Sequence, residues 1–249
     1  METVGGNEVP NKVDILGVNV DSLTMDEAVE QVEAFIEAEE PVLIATANAE
    51  MLMRATYDEE LREILNGAAM VTPDGAGTVW AAHHLGFEMP ERVAGYDLAQ
   101  NLMAEAAKRG QRVFFFGSAP GVAEKAKAKA EKLYPGIEIC GVRNGFFKEA
   151  DEPAIIEEIK AAKPHILLAA LGVPKQEKWL WKYKDELQVP VSIGVGGTLD
   201  VMAGVMKRAP RWIQKAKLEW LFRGMLQPKR AGRLMALPKF VLKVHASRK

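Results

Sequence analysis

The sequence predicts an α/β fold, a mostly parallel β-sheet with helices on both faces, followed by a basic helical C-terminal appendage. Three observations carry this reading. The runs "PVLIATAN", "QRVFFFGS", "HILLAALG" and "VPVSIGVGG" are apolar throughout rather than alternating, as strands covered on both faces are. Segments with apolar residues at helical spacing separate them. Several of these runs also end in loops rich in glycine and small polar residues, the usual punctuation between strand and helix.

Taken in order, "KVDILGVNV" reads as one strand. Thr24 and Glu27 form a capping-box pattern that opens the helix "MDEAVEQVEAFIEA". "PVLIATAN" follows as a buried strand, and Asp58 caps the helix "DEELREIL". The apolar "AAM" leads into "VTPDGAG" and a short helix, "TVWAAHHLG". After the strand "QRVFFFGS", the helix "GVAEKAKAKAEKLY" starts at Pro120 and stops at Pro135-Gly136. The remaining elements are "IEICGV", the helix "EPAIIEEIKAA", the strand "HILLAALG", the helix "PKQEKWLWKYKDEL" and the strand "VPVSIGVGG". The architecture expected from this order is Rossmann-like.

Beyond Gly204 the character changes. "APRWIQKAKLEWLFRGML" and "RAGRLMALPKFVLKVHA" are basic and amphipathic, and Pro238 is expected to kink or end the second. Residues 207–249 carry thirteen Lys and Arg against a single acid, Glu219, whereas the other 206 residues carry 19 basic and 33 acidic groups. The near-neutral total of −2 therefore hides an acidic body, residues 1–206, and a cationic appendage, residues 207–249. Such asymmetry points to an anionic partner, either nucleic acid or a membrane surface. At 249 residues and 48% hydrophobic, the chain can build one large core. One cysteine, Cys140, excludes an internal disulfide framework and suits a reducing compartment. The polar start "METVGGNEVPNK" lacks the apolar core of a signal peptide, and no run reaches the ~18 apolar residues of a membrane span, so a cytoplasmic location is expected.

In a parallel sheet the loops "ATANAE", "VTPDGAG", "FFGSAPG", "ALGVPKQE" and "GVGGTLD" would share one edge and form a composite cleft. Gly117, Gly121, Gly172, Gly194, Gly196 and Gly197 would let backbone approach a ligand, and following helix N-termini favour phosphate. Asp74, between Pro73 and Gly75, is either a helix cap or a carboxylate presented for chemistry. No loop contains Gly-Lys-Ser/Thr. His83 and His84 lack partners at zinc spacing, and Asp-x-Asp is absent, so no metal site and no cofactor are expected. Cys140 lies in an apolar strand, where thiols are usually inert.

Together, "TANAEM", "TPDGAG", "ERVAGYDL", "ALGVPKQEKW", "GVGGTLDVMAG", "KRAPRW" and "LEWLFR" resemble the TagA/WecG/CpsF family of bacterial glycosyltransferases, from about Val13 to about Phe240. The likeness is strongest to the TagA branch. It implies transfer of N-acetylmannosamine from a UDP-sugar donor to a polyprenyl-diphosphate-linked N-acetylglucosamine acceptor, without a metal, in wall teichoic acid linkage-unit synthesis. Carried over, it puts the catalytic base on Asp74 and polar pocket residues on Thr46 and Asn48. Arg92 matches a family arginine and suits diphosphate, with an ion pair to Glu88 or Glu91 as the alternative. Gln176 should face the same pocket. Asp200 is a candidate for the ribose hydroxyls, or else a helix cap. Arg223, Arg230 and Arg233 match appendage arginines that reach the diphosphates, and the appendage would attach the protein to the inner face of the plasma membrane as a peripheral protein. Alternatively, its apolar residues pack on the core or form a homo-oligomer interface. Competing functions are another UDP-sugar on the same scaffold, a nucleic-acid-binding protein (which leaves Asp74 without a role), and a silent scaffold.

Overall fold

The computed structural model describes residues 12–210, 212–213, 222 and 236–247. The chain begins with two short strands, β1 (Lys12–Ile15) and β2 (Val18–Asp21), paired antiparallel with Ile15 opposite Val18. This corrects the single strand expected over "KVDILGVNV". Leu16 and Gly17 both take positive φ (57° and 87°), the geometry of a two-residue hairpin turn, and Asp14 Oδ1 accepts from the Gly17 N–H.

Helix α1 (Met25–Ala38) starts where the capping box placed it. Thr24 Oγ1 accepts from the Glu27 N–H at 3.3 Å, and Glu27 Oε2 accepts from the Thr24 N–H at 2.7 Å. The Thr24 N–H, and the Thr24 hydroxyl donating to the same oxygen at 2.9 Å, hold the Glu27 carboxyl below its usual range. Thr24→Ala is expected to destabilise the protein by about 1 kcal/mol, read from the denaturant midpoint. An unchanged midpoint would mean that packing alone positions α1.

The main sheet is built from β3 (Val42–Ala47), β4 (Met70–Pro73), β5 (Arg112–Gly117), β6 (Glu138–Arg143), β7 (Ile166–Ala170) and β8 (Val191–Gly194). The strands run parallel in the order β4-β3-β8-β7-β5-β6. Their side chains alternate between two cores. Leu43, Ala45, Val71, Phe114, Phe116 and Leu167 face α2 (Ala49–Ala55), α3 (Glu59–Gly67), α4 (Ala76–His84), α7 (Glu152–Ala162) and α8 (Lys175–Leu187). Ile44, Met70, Phe115, Leu168, Val191 and Ile193 face α1, α5 (Gly95–Arg109), α6 (Val122–Leu133) and α9 (Thr198–Met202). Burial on both faces is why the strands read as unbroken apolar runs.

The hairpin packs beside the edge strand β4. Asp21, itself buried, accepts from the Val71 N–H at 2.7 Å and pairs with Lys12 at 3.6 Å. Burial pushes the Asp21 carboxyl up, partly offset by the Val71 N–H and Lys12. An edge N–H that could recruit another strand is thereby occupied.

Of the appendage, α10 (Ala236–Ser247) is described. It packs on α2 and α4 through Phe240 and Val244, both fully buried in the first core. Pro238 lies in its first turn, where its missing N–H has no intrahelical partner to lose, so it starts this helix rather than ending it. His84 Nε2 and His245 Nδ1 meet at 3.1 Å across the α4–α10 contact.

Candidate active site

Because all six strands are parallel, β3, β4, β5, β7 and β8 end on one edge, and their loops lie along it. In open α/β sheets this carboxyl edge is where ligands bind. Asp74 is the first residue beyond β4. Its N–H donates to the carbonyls of Ala47 and Thr72, both at 3.0 Å, which ties the β4 turn to the end of β3. The Thr78 hydroxyl donates to the same Ala47 carbonyl at 2.9 Å. The N-cap position of α4 is Gly75 (φ 97°), which has no side chain to cap with. The backbone therefore needs glycine at 75 and sets Asp74 one residue outside the cap.

Thr46 and Asn48 sit beside it on β3 and the following turn. The Thr46 hydroxyl donates to the Gly194 carbonyl at 3.0 Å, joining the ends of β3 and β8. Asn48 caps α2, its Oδ1 accepting from the Met51 N–H at 3.0 Å. A Cβ on Gly75 would lie 3.8 Å from Asn48 Cβ, so the two turns are neighbours. Gly95, at the start of α5, packs so closely that a Cβ there would stand 3.0 Å from Thr46 Oγ1.

Gln176 is 1% exposed, and its amide is engaged within the fold. Its Oε1 accepts from the N–H groups of Gly172 (3.0 Å) and Gly196 (3.1 Å), bridging the β7–α8 and β8–α9 loops. Its Nε2 donates to Glu177 Oε1 at 2.8 Å. Asp200, in the first turn of α9, accepts from the Ser118 hydroxyl at 3.2 Å, joining the β5 and β8 loops. It is not the N-cap of α9, which is Gly197. The loops that carry Asp74, then Thr46 and Asn48, then Asp200, then Gln176 thus adjoin one another in the strand order β4-β3-β8-β7, joined by hydrogen bonds.

A model of the glycosyl transferase WecG/TagA/CpsF family matches residues 13–249. The chain belongs to this family. Among similar proteins is the N-acetylglucosaminyldiphosphoundecaprenol N-acetyl-beta-D-mannosaminyltransferase of Staphylococcus aureus strain NCTC 8325 / PS 47. It is 35% identical over 235 residues, covering 94% of this chain and 92% of that protein. The protein of the same name from strain MRSA252 is 34% identical over the same length.

In this WecG/TagA/CpsF family member, Arg92 precedes α5 and lies 3.9 Å from Asp97; among the described residues no ion pair joins it to Glu88 or Glu91. The Glu91 carboxylate instead accepts from the Met25 N–H. Asp97 also receives both guanidinium N–H groups of Arg208, at 2.8 and 2.6 Å, while that guanidinium lies 4.5 Å over the Tyr96 ring. Arg208, Asp97, Ser118 and Glu177 were not singled out in the sequence. Each lies within a quoted motif, "KRAPRW", "ERVAGYDL", "FFGSAPG" or "ALGVPKQEKW", but partners as far as 111 residues away give no local signal. Arg223, Arg230 and Arg233 lie outside the described residues. Cys140, in β6, is partly buried; burial pushes its thiol up, consistent with an inert side chain. His83 meets the Met89 carbonyl at 3.1 Å. Among the described residues, no group of three His, Cys, Asp or Glu is placed to hold a metal ion.

Proposed function

We propose that this protein is an inverting, metal-independent glycosyltransferase that moves N-acetylmannosamine from UDP-N-acetylmannosamine to undecaprenyl-diphosphate-linked N-acetylglucosamine, an early step of wall teichoic acid linkage-unit synthesis. The observation that carries the reading is the position of Asp74 on the loop rim of a chain related over nearly its whole length to transferases named for that acceptor and sugar.

Asp74 takes the proton of the acceptor hydroxyl as its oxygen attacks the anomeric carbon. The bond from that carbon to the β-phosphate oxygen breaks, and its electron pair leaves with UDP. Charge on the diphosphate is met by Arg92, by the N-terminus of α5, whose cap residue Ala94 makes no side-chain bond, and by Arg223, Arg230 and Arg233. Asp200 reads the ribose, with Ser118 steadying its carboxylate. Thr46 and Asn48, at the end of the neighbouring strand β3 and on the turn after it, contact the sugar. The test is UDP release from UDP-N-acetylmannosamine with a lipid-diphosphate-N-acetylglucosamine acceptor in the presence of chelator. Acceptor-dependent release supports the reading. No release from this donor, or release only with added metal, overturns it.

The acceptor's lipid stays in the bilayer, so the protein works at the inner face of the plasma membrane as a peripheral protein. Among the described residues, no helix is long and apolar enough to cross a membrane. One face of α10 is taken up by the core, while Lys239, Val241, Leu242 and Lys243 face outward, Leu242 being 70% exposed. Trp212, 69% exposed, adds a second apolar contact. Leu242→Glu is expected to weaken binding to anionic vesicles at least about tenfold, through lost apolar burial and added repulsion, with folding unchanged. Unaltered vesicle binding in a flotation assay would remove α10 from the membrane contact.

A further inference from the structure

Gln176 and Glu177 are consecutive, buried residues in the first turn of α8. The Gln176 amide is held at both ends, its oxygen by the N–H groups of Gly172 and Gly196 and its nitrogen by Glu177 Oε1. The pair is packed beneath the end of β8. A Cβ on Gly194 would stand 2.6 Å from Gln176 Nε2 and 2.9 Å from Glu177 Oε1. By contrast, a Cβ on Gly172 or Gly196 would meet nothing within 4 Å among the described residues, although both glycines take positive φ. The Gln176 side-chain amide joins these two loop positions, and the Gln176 backbone N–H donates to the Gly172 carbonyl at 3.0 Å as well.

Glu177 is 0% exposed, and among the described residues its Oε2 has no hydrogen-bond partner. Burial pushes this carboxyl up to about 7, against the Gln176 amide and the N-terminal backbone of α8, which favour its charged form. A leucine of similar volume would avoid that desolvation cost. What leucine cannot supply is an acceptor for Gln176 Nε2.

We infer that Glu177 is a positioning residue for the donor: it anchors the Gln176 amide, which sets the separation of the β7–α8 loop from the β8–α9 loop that leads into Asp200. Glu177 itself does not touch the substrate. The inference rests on the donor site proposed above. Removing the acceptor strands the buried Gln176 Nε2 without a partner and loosens the amide's hold on the two glycines, so donor binding suffers before catalysis does.

The experiment is calorimetric titration with UDP, together with donor KM and kcat, for wild type, Glu177→Leu, Glu177→Gln, Gln176→Leu and the double variant Gln176→Leu/Glu177→Leu. Loss of one buried hydrogen bond predicts that Glu177→Leu weakens UDP binding and raises donor KM about tenfold, with kcat at saturating donor much less affected. Glu177→Gln, which keeps an acceptor oxygen, recovers most of the affinity. The double variant binds UDP no more weakly than Gln176→Leu, because Glu177 acts through Gln176. Wild-type affinity in Glu177→Leu, equal weakening in Glu177→Gln, or additive losses in the double variant would each overturn the inference. If Glu177→Leu does not fold, Gln176→Leu and Glu177→Gln carry the test: the first must weaken UDP binding and the second must not. A wild-type protein that fails to bind UDP would overturn the donor reading and this inference with it.

Discussion

Asp74→Asn is expected to lower acceptor-dependent UDP release by about 10²- to 10⁴-fold, the usual contribution of a positioned general base. The substitution is nearly isosteric, and backbone contacts hold the turn that carries it. Its geometry comes from the Asp74 N–H bound to Ala47 and Thr72 and from the positive φ of Gly75. The variant should therefore unfold close to the wild-type temperature and bind UDP with wild-type affinity. The loss should appear in kcat and in kcat/KM alike, because the proton transfer takes place only as the transition state forms. Turnover within a few-fold of wild type would leave the family assignment untouched but move the base elsewhere. A collapse in thermal stability would instead show that the carboxylate holds the turn.

The second large effect is on stability and follows from Glu177. Burial raises its folded-state pKa from 4.5 to about 7, so between those values the folded protein binds more protons than the unfolded chain. Stability carried by this group is fully present below pH 4.5 and is lost as pH rises through 7. At about 1.4 kcal/mol per pH unit, the interval corresponds to roughly 3 kcal/mol. Glu177→Gln cannot titrate, so its stability relative to wild type should rise by about that amount between pH 4.5 and 7 and then level off. Chemical denaturation of both proteins across this range measures it. Taking the difference removes the opposing contributions of Asp58 and Glu27, whose carboxyls are held low. A pH-independent difference would mean that Glu177 is ionised throughout, with water reaching its Oε2.

Much of the architecture was legible because strands and helices are written in local patterns. Apolar runs without alternation require burial on both faces, and the sheet shows that arrangement, with Phe114 and Phe116 on one side and Phe115 on the other. Thr24 and Asp58 marked helix starts through hydrogen bonds made three residues ahead. The helices at Ala49–Ala55 and Gly95–Arg109 are harder to read from local pattern. The first is only seven residues long, and the second follows a polar loop whose last residue, Ala94, gives no capping signal. The turn at Leu16–Gly17 is not legible, because leucine seldom takes positive φ and the pair resembles the interior of a strand.

The sequence by itself determined the α/β class, the acid on a rigid turn at a strand end, and the separation of an acidic body from a cationic appendage, all of which depend on neighbours within a few residues. Tertiary structure alone decided the strand order and, through it, which loops touch. Thr46 reaches Gly194 across 148 residues, Asp200 reaches Ser118 across 82, and Arg208 reaches Asp97 across 111. Gln176 is the clearest case, since its amide is shared between two glycines 24 positions apart in the chain that only the sheet makes adjacent. Periodicity specifies which face of an element is buried. Which elements meet depends on burying both sheet faces and pairing the buried polar groups at the same time, and no local pattern encodes that.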